Sequence, residues 1–364
     1  MKKILSLLSF SAICAFSAEV VLGIAQPLTG PYAAYGQDVH KGIILANEMD
    51  AKAGEHAIKL ISLDTKGDKI ETQNAVTRLI ANDKALGIIA EAVTPNTLQA
   101  ISIAEEKKTP LIAPVASGDK LLDGKKYAAR VCFMDSFQGQ AFAKWAAEKL
   151  GKKAVVVHDQ TNVYSIGLSK AFSTQFLGSG GTVAKKLAVV GGDKDFKALA
   201  SSIKEIDPDF VYLPIYHPEA ALIAKALRQV EYKKILAGGD GLGNETLIEL
   251  GGEAVEGLLY TDAFDAENPP NEAGKAFVEA YKKNHNGSNP PAFSAMGADA
   301  YFVFKSAVEA CQDLNKDCIN DRIHNTVNLQ VPGGVINIDN SGNAARTVIV
   351  KEIKDGKQKF KDFL

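Results

Sequence analysis

No long run of lysine and arginine occurs in the 364 residues, and 41 basic side chains against 43 acidic ones leave a formal net charge of −2. A phosphate backbone requires a basic face, so no nucleic-acid partner is expected. Only six histidines are present, and no close His/Cys/Asp cluster has metal-ligand spacing. Neither a G-x-S-x-G elbow nor a phosphate-binding G-x-x-x-x-G-K-[ST] loop occurs. Without a nucleophile and its base, or a metal set, the chain is not expected to be an enzyme or to carry a cofactor. His158 and His217 are the best placed histidines, and both read as structural, with His217 able to cap a helix starting at Pro218. Beyond the N-terminus no apolar run is long enough to span a bilayer. Flexible linkers, low-complexity segments and internal sequence repeats are also missing, so any two lobes must be joined by short crossings.

Cysteine is scarce too, with four in all. Cys14 lies in an N-terminal segment where Lys2 and Lys3 precede the apolar stretch 4–16 and small residues follow, the pattern of a secretory signal peptide. Ala15 and Ser17 fit a small-x-small cut after Ser17, giving a signal peptide over 1–17 and an exported mature chain. A lipid-attachment site at Cys14 would want a small residue where Ile13 stands. Cys132, inside the apolar RVCFM, reads as a buried free thiol. Cys311 and Cys318 are close enough in sequence to close a small loop in an oxidising compartment. On one continuous helix they would be about 10 Å apart, beyond disulfide reach. A bridge therefore demands that the helix end between them, where Asp313, Asn315 and Asp317 favour a break.

What the chain does have is alternation. Short apolar runs (VVLGIAQ, IKLISLD, LGIIAE, PLIAPV, KAVVVHD, DFVYLPIY, KILAGGD) are separated, in all but one case, by stretches of helical periodicity. Helices are expected around 36–53 and 70–83 after the first two. Hydrophobic residues make up 46% and charged ones 23%, ordinary for soluble domains, and the length exceeds a usual single core. Strand–helix alternation of this kind implies α/β architecture, parallel sheets covered by helices on both faces. Ligands in such sheets bind just past the carboxyl ends of the strands.

Candidate residues follow from that rule. After LGIIAE, Thr94 is placed as a helix N-cap with Pro95 at the first helical position, a turn suited to an anion through free N–H groups and the Thr94 hydroxyl. Ala92 and Val93 beside it look like pocket wall. After PLIAP, the main chain of Val115 and the hydroxyl of Ser117 face the same crevice. In KILAGGDGLG, Asp240 ends an apolar strand between glycines that admit close backbone approach, and a lone carboxylate there suits an ammonium. The glycine spacing does not make a dinucleotide fingerprint. Tyr35, Tyr164 and Tyr216 each fall just beyond a strand, where a ring can line an apolar pocket and its hydroxyl bond a polar group.

Taken together, QPLTGPYAAYGQD, TPNTLQA, IAPVAS, VVVHDQTNVYSIG, DFVYLPIYHPEAA and AGGDGLGNE resemble the leucine/isoleucine/valine-binding proteins of ABC transporters over nearly the whole mature chain. The resemblance implies the type I periplasmic-binding-protein fold, two doubly wound Rossmann-like lobes joined by a three-segment hinge. Lobe 1 would comprise 18–134 and 264–345, and lobe 2 would comprise 135–263 and 346–364. It implies a small aliphatic, branched-chain amino acid as ligand, an inner-membrane ABC permease as partner and a monomer in solution; a sensory module feeding a chemoreceptor or kinase is the alternative. The α-carboxylate would be held at Thr94 and Ser117. The α-ammonium would be held by the carbonyl of Val115, the hydroxyl of Ser117 and the acid Asp240. Tyr164 and Tyr216 would be brought over the ligand on closure, and Tyr35 would line its side-chain pocket. Two departures stand out: Asp240 replaces the family's common Glu, and Pro95 replaces a small hydroxyl residue.

Overall fold

The computed structural model describes residues 19–364, so the signal peptide expected over 1–17, with Cys14, lies outside the described residues. Two sheets organise the chain. The first contains β1 (Glu19–Gln26), β2 (Lys52–Ala53), β3 (His56–Asp64), β4 (Gly87–Ala90), β5 (Leu111–Ala113) and β6 (Ala128–Arg130), in the order β2-β3-β1-β4-β5-β6. Helices α1 (Ala33–Met49), α2 (Lys69–Ala81) and α3 (Thr94–Glu106) connect its strands. The second contains β7 (Lys153–Asp159), β8 (Thr182–Val189), β9 (Phe210–Leu213), β10 (Ile235–Gly238) and β11 (Leu259–Asp262). These alternate with α4 (Asp135–Lys149), α5 (Val163–Gly178), α6 (Lys197–Ile206), α7 (His217–Gln229) and α8 (Glu245–Gly251). After them come α9 (Glu272–Asn284), α10 (Ala292–Glu309), α11 (Lys316–His324) and the small hairpin β12 (Leu329–Val331) and β13 (Gly334–Ile336). The terminal pair β14 (Ile349–Lys354) and β15 (Lys357–Phe363) completes the second sheet, in the order β15-β14-β11-β10-β9-β7-β8.

Central strands are parallel and apolar throughout; Val20, Leu22 and Ile24 of β1 and Val155, Val156 and Val157 of β7 are fully buried. That composition suits strands covered on both faces by crossover helices. The sheets are not wholly parallel as the pattern suggests. β2, β14 and β15 run antiparallel at the edges, where a hairpin of polar-rich strands can face solvent on one side.

The two sheets share a topology without sharing a sequence. In the first, β3 lies on one side of β1 and β4-β5-β6 on the other; in the second, β8 lies on one side of β7 and β9-β10-β11 on the other. Each therefore has one switch point, between β1 and β4 and between β7 and β9, where diverging connections open a crevice at the strands' carboxyl ends.

Chain passes between the two layers three times: at 131–134, at 263–271 and at 337–348. The latter two are held by buried ion pairs. Arg346 meets Asp299 of α10 at 2.8 Å, and Lys351 of β14 lies 3.6 and 3.5 Å from Asp262 and Asp265 while donating to the Phe264 carbonyl. The returning helices pack on the first sheet's side. Ser294 of α10 donates to the Asp38 carbonyl of α1 at 2.7 Å, and a side chain at Gly42 would collide with the Ser294 carbonyl. Between α10 and α11 the helix does break, and Cys311 and Cys318 form a disulfide with their Cα atoms 6.0 Å apart. Cys132 is a buried free thiol, its pKa pushed up to about 12 by burial.

Candidate functional site

A small, nearly closed cavity lies between the sheets at their switch points. From the first layer it is lined by Tyr35, Ala92, Thr94, Val115, Ala116, Ser117 and Phe293, and from the second by Tyr164, Tyr216, Asp240 and Gly241. The positions correspond. Tyr35, Thr94 and Ser117 follow β1, β4 and β5, while Tyr164, Tyr216 and Asp240 follow β7, β9 and β10, the equivalent strands of the second sheet.

Asp240 is the most constrained member. It begins a short 3-10 turn after β10, only 3% exposed. Its Oδ1 accepts from the Tyr164 hydroxyl and from Gln138 Nε2, both at 2.9 Å. The Gln138 amide is oriented in turn by Thr261, whose hydroxyl donates to Gln138 Oε1 at 2.6 Å. Glycine is required on both sides of Asp240 because the tyrosines press on the backbone. A Cβ at Gly239 would sit 2.6 Å from the Tyr164 hydroxyl, and one at Gly241 would sit 3.0 Å from the Tyr216 ring.

Asp135, at the start of α4, is a second buried acid. Its Oδ1 accepts from the same Gln138 Nε2 at 3.1 Å, its backbone N–H donates to the Ser117 carbonyl at 2.9 Å, and its Oδ2 is buried without a hydrogen-bond partner among the described residues. Burial raises the pKa of Asp240, against its hydrogen bonds. Burial, then the charge of Asp240, raises that of Asp135 well above the usual range. Among the described residues no lysine or arginine forms an ion pair with either acid. Buried carboxylates without a counter-charge favour a cationic group that can hydrogen-bond them.

The opposite end has anion chemistry. Thr94 is not the N-cap but the first residue of α3; Val93 caps it with extended backbone and no side-chain bond. The physical reason is that the Val93 carbonyl takes the first turn's bonds, from the Asn96 and Thr97 N–H groups at 3.1 and 3.0 Å. Thr94 is thereby left lining the cavity at the positive end of a helix, with its own N–H unpaired, Pro95 carrying none and those of Asn96 and Thr97 taken by Val93. Val93 itself is absent from the cavity wall and is packed in the core. Ala116, between the two polar groups of its loop, is held through its carbonyl by the Cys132 thiol at 3.3 Å.

Aromatic rings close the space. Tyr164 and Tyr216 stack with centroids 5.0 Å apart and planes 6° from parallel; Tyr32 and Tyr35 meet Tyr216 from the first layer, and Phe293 packs on Tyr35. Tyr35 does more than line the pocket. Its hydroxyl donates to the Gly241 carbonyl at 2.5 Å and accepts from the His217 N–H at 3.1 Å, while Asn244 donates to Asp38 at 3.0 Å. Three hydrogen bonds thus join α1 to the second layer, and the layers are closed on each other.

His217 does not cap α7 with its side chain. It is the first helical residue after Tyr216, its ring packs on Tyr35 at 4.7 Å, and burial lowers its pKa to about 4. His158 is a strand residue of β7. Among the described residues no group of three His, Cys, Asp or Glu side chains could hold a metal. Sequence reasoning missed Asp135, Gln138 and Phe293. An acid and an amide three apart at a helix start were the available signal for the first two; Phe293, inside an apolar helix, offered none.

Comparisons with known proteins agree with this geometry. A family model described as periplasmic binding protein matches residues 19–358. The chain is 30% identical to a Leu/Ile/Val-binding protein homolog of Brucella melitensis over 84% of each sequence. A crystal structure of a leucine binding protein, LivK, from Thermotoga maritima has a TM-score of 0.92 at 38% identity, covering 95% of this chain and 98% of that one. A LivJ substrate-binding protein of Streptococcus pneumoniae in complex with isoleucine has a TM-score of 0.90 at 27% identity, covering 95% and 99%. The two-layered fold with its cleft at paired switch points is that of the type I periplasmic binding proteins, and the chain belongs to the periplasmic binding protein family, whose members bind ligands and are not enzymes.

Proposed function

We propose that this chain is the receptor of an ABC importer for a small aliphatic amino acid, with leucine, isoleucine or valine preferred. The observation that carries the reading is the opposition across one cavity of the uncompensated Asp240 and the α3 N-terminus with Thr94. A zwitterion supplies the charge each end wants. Its ammonium would be held by Asp240, the Val115 carbonyl and Ser117, and its carboxylate by Thr94 and Ser117. Tyr164 and Tyr216 cover the ligand, and Tyr35, Ala92 and Phe293 surround an uncharged side chain. The relatives' names, which specify leucine, isoleucine and valine, support the same class.

The moving units would be 18–134 with 264–345 and 135–263 with 346–364, turning about the three crossings. Residues 1–17 would direct export to the periplasm. The mature monomer would deliver its cargo to an inner-membrane permease and bind no nucleic acid. A thermal-shift screen over the twenty amino acids tests this. A ligand at a hundred times its Kd adds about 2.7 kcal/mol to stability, a shift of roughly 4 °C for a chain this size. Leucine, isoleucine and valine should give the largest shifts. A screen in which none of the twenty shifts the midpoint, or only charged ones do, would refute it.

A further inference from the structure

The anion end of the cleft rests on a residue held in an unfavourable conformation. Glu91 follows β4 with φ of 61°, a left-handed backbone that costs a non-glycine residue about 1 to 2 kcal/mol, and its side chain is fully buried. Glycine would meet the backbone demand without strain, so what the position needs is the carboxyl. Oε1 accepts from the Thr72 hydroxyl of α2 at 2.8 Å, and Oε2 accepts from the Ala92 N–H of the cleft turn at 3.3 Å. Thr65, past the end of β3, and Asn96 of α3 also face the carboxyl. Gln26, which ends the neighbouring β1, is buried close by with both amide atoms unpaired.

We propose that Glu91 is a positioning residue for the ligand's carboxylate, tying the β4–α3 turn to α2 so that the hydroxyl and N–H of Thr94 at the start of α3 meet the cavity in one fixed orientation. This rests on the reading that α3 receives the carboxylate. Burial, opposed by its hydrogen bonds, raises Glu91 to about 7. Its neighbours from β1, β3, α2 and α3 are the neutral Gln26, Thr65, Thr72 and Asn96. The acids beside Thr65 and before Thr72 point elsewhere: Asp64 to the N–H groups of Leu28, Thr29 and Lys66, and Asp68 to those of Ile70 and Glu71. A carboxylate bound at α3 disfavours a second negative charge beneath it, so binding above pH 7 takes up a proton and weakens as pH rises.

Calorimetric titration of the mature chain with leucine from pH 6 to pH 8.5 tests this on wild type, Glu91→Gln and Glu91→Gly, each with its unfolding midpoint. Wild-type affinity should fall roughly fivefold across the range, the effect of partial uptake of one proton. Glu91→Gln should match wild type at pH 6 and lack that added slope, because Asp240 and Asp135 titrate in all three proteins and only position 91 differs. Glu91→Gly should keep its fold and bind at least fivefold more weakly at every pH. A wild-type slope in Glu91→Gln, or wild-type affinity in Glu91→Gly, overturns the proposal; if the glycine variant does not fold, the glutamine variant decides alone. A wild type that binds no amino acid at any pH overturns the carboxylate reading beneath it, an outcome distinct from a binding wild type whose variants are indifferent.

Discussion

In the proposed reading Asp240 and Thr94 divide a zwitterion between them, and the two are not equivalent. Asp240 is the only one of the two that supplies a formal charge, in a site closed to solvent, whereas Thr94 divides its task between its hydroxyl and its own N–H. Asp240→Ala should therefore weaken leucine binding at least tenfold, about 1.4 kcal/mol, and leave the fold intact at a cost of about 1 to 3 kcal/mol, because the buried Tyr164 hydroxyl loses its acceptor. Thr94→Ala should cost less, and calorimetry on both variants gives the order; a larger loss at Thr94 would reverse the roles. These residues were legible in the sequence because each directly follows an apolar strand, where a doubly wound sheet exposes its loops. Val93 was misread since neighbours at a helix start point in different directions, and its side chain turns to the core. Asp135, which sits behind Ser117 after the first crossing, and Phe293, which lines the cavity from the distant α10, escaped because no local pattern marks either approach.

Element by element, legibility followed burial. The buried strands β1, β4, β5, β7, β9 and β10, and the half-buried β3, announce themselves as apolar runs, and α1 and α2 fall within a few residues of where periodicity puts them. Edge strands did not. β8, with sequence TVAKKLAV, and the terminal hairpin β14–β15 carry lysines on exposed positions, as edges must to avoid pairing with other chains. That composition hides them from a search for hydrophobic runs. The break between α10 and α11 was legible from the two cysteines and the polar residues between them. Closing so short a loop should contribute about 2 kcal/mol. Replacing Cys311 and Cys318 with serine should lower the denaturant-measured stability by that amount. Leucine affinity should stay the same, because the bridge lies outside the residues that line the cleft. A change in affinity would show that the end of α10, whose other end presents Phe293, transmits to the site.

For the whole molecule, the shared topology explains why one cleft suffices. Each sheet offers a single switch point, and the three crossings hold the two offerings face to face, pinned near the hinge by Arg346–Asp299 and the Lys351 cluster. Closure is then a contest between ligand-dependent contacts and the few direct ones, chiefly the Tyr35 hydroxyl bridge to Gly241 and His217 and the Asn244–Asp38 bond. A ligand touching both layers favours the closed state by the contacts only that state provides. The most direct measurement is a crystal structure of the mature chain grown with leucine. It should show the amino acid between Ser117 and Asp240, its ammonium within hydrogen-bonding distance of the Asp240 carboxylate and its carboxylate at the start of α3. A leucine bound elsewhere, or one whose carboxylate faces Asp240, would contradict the assignment.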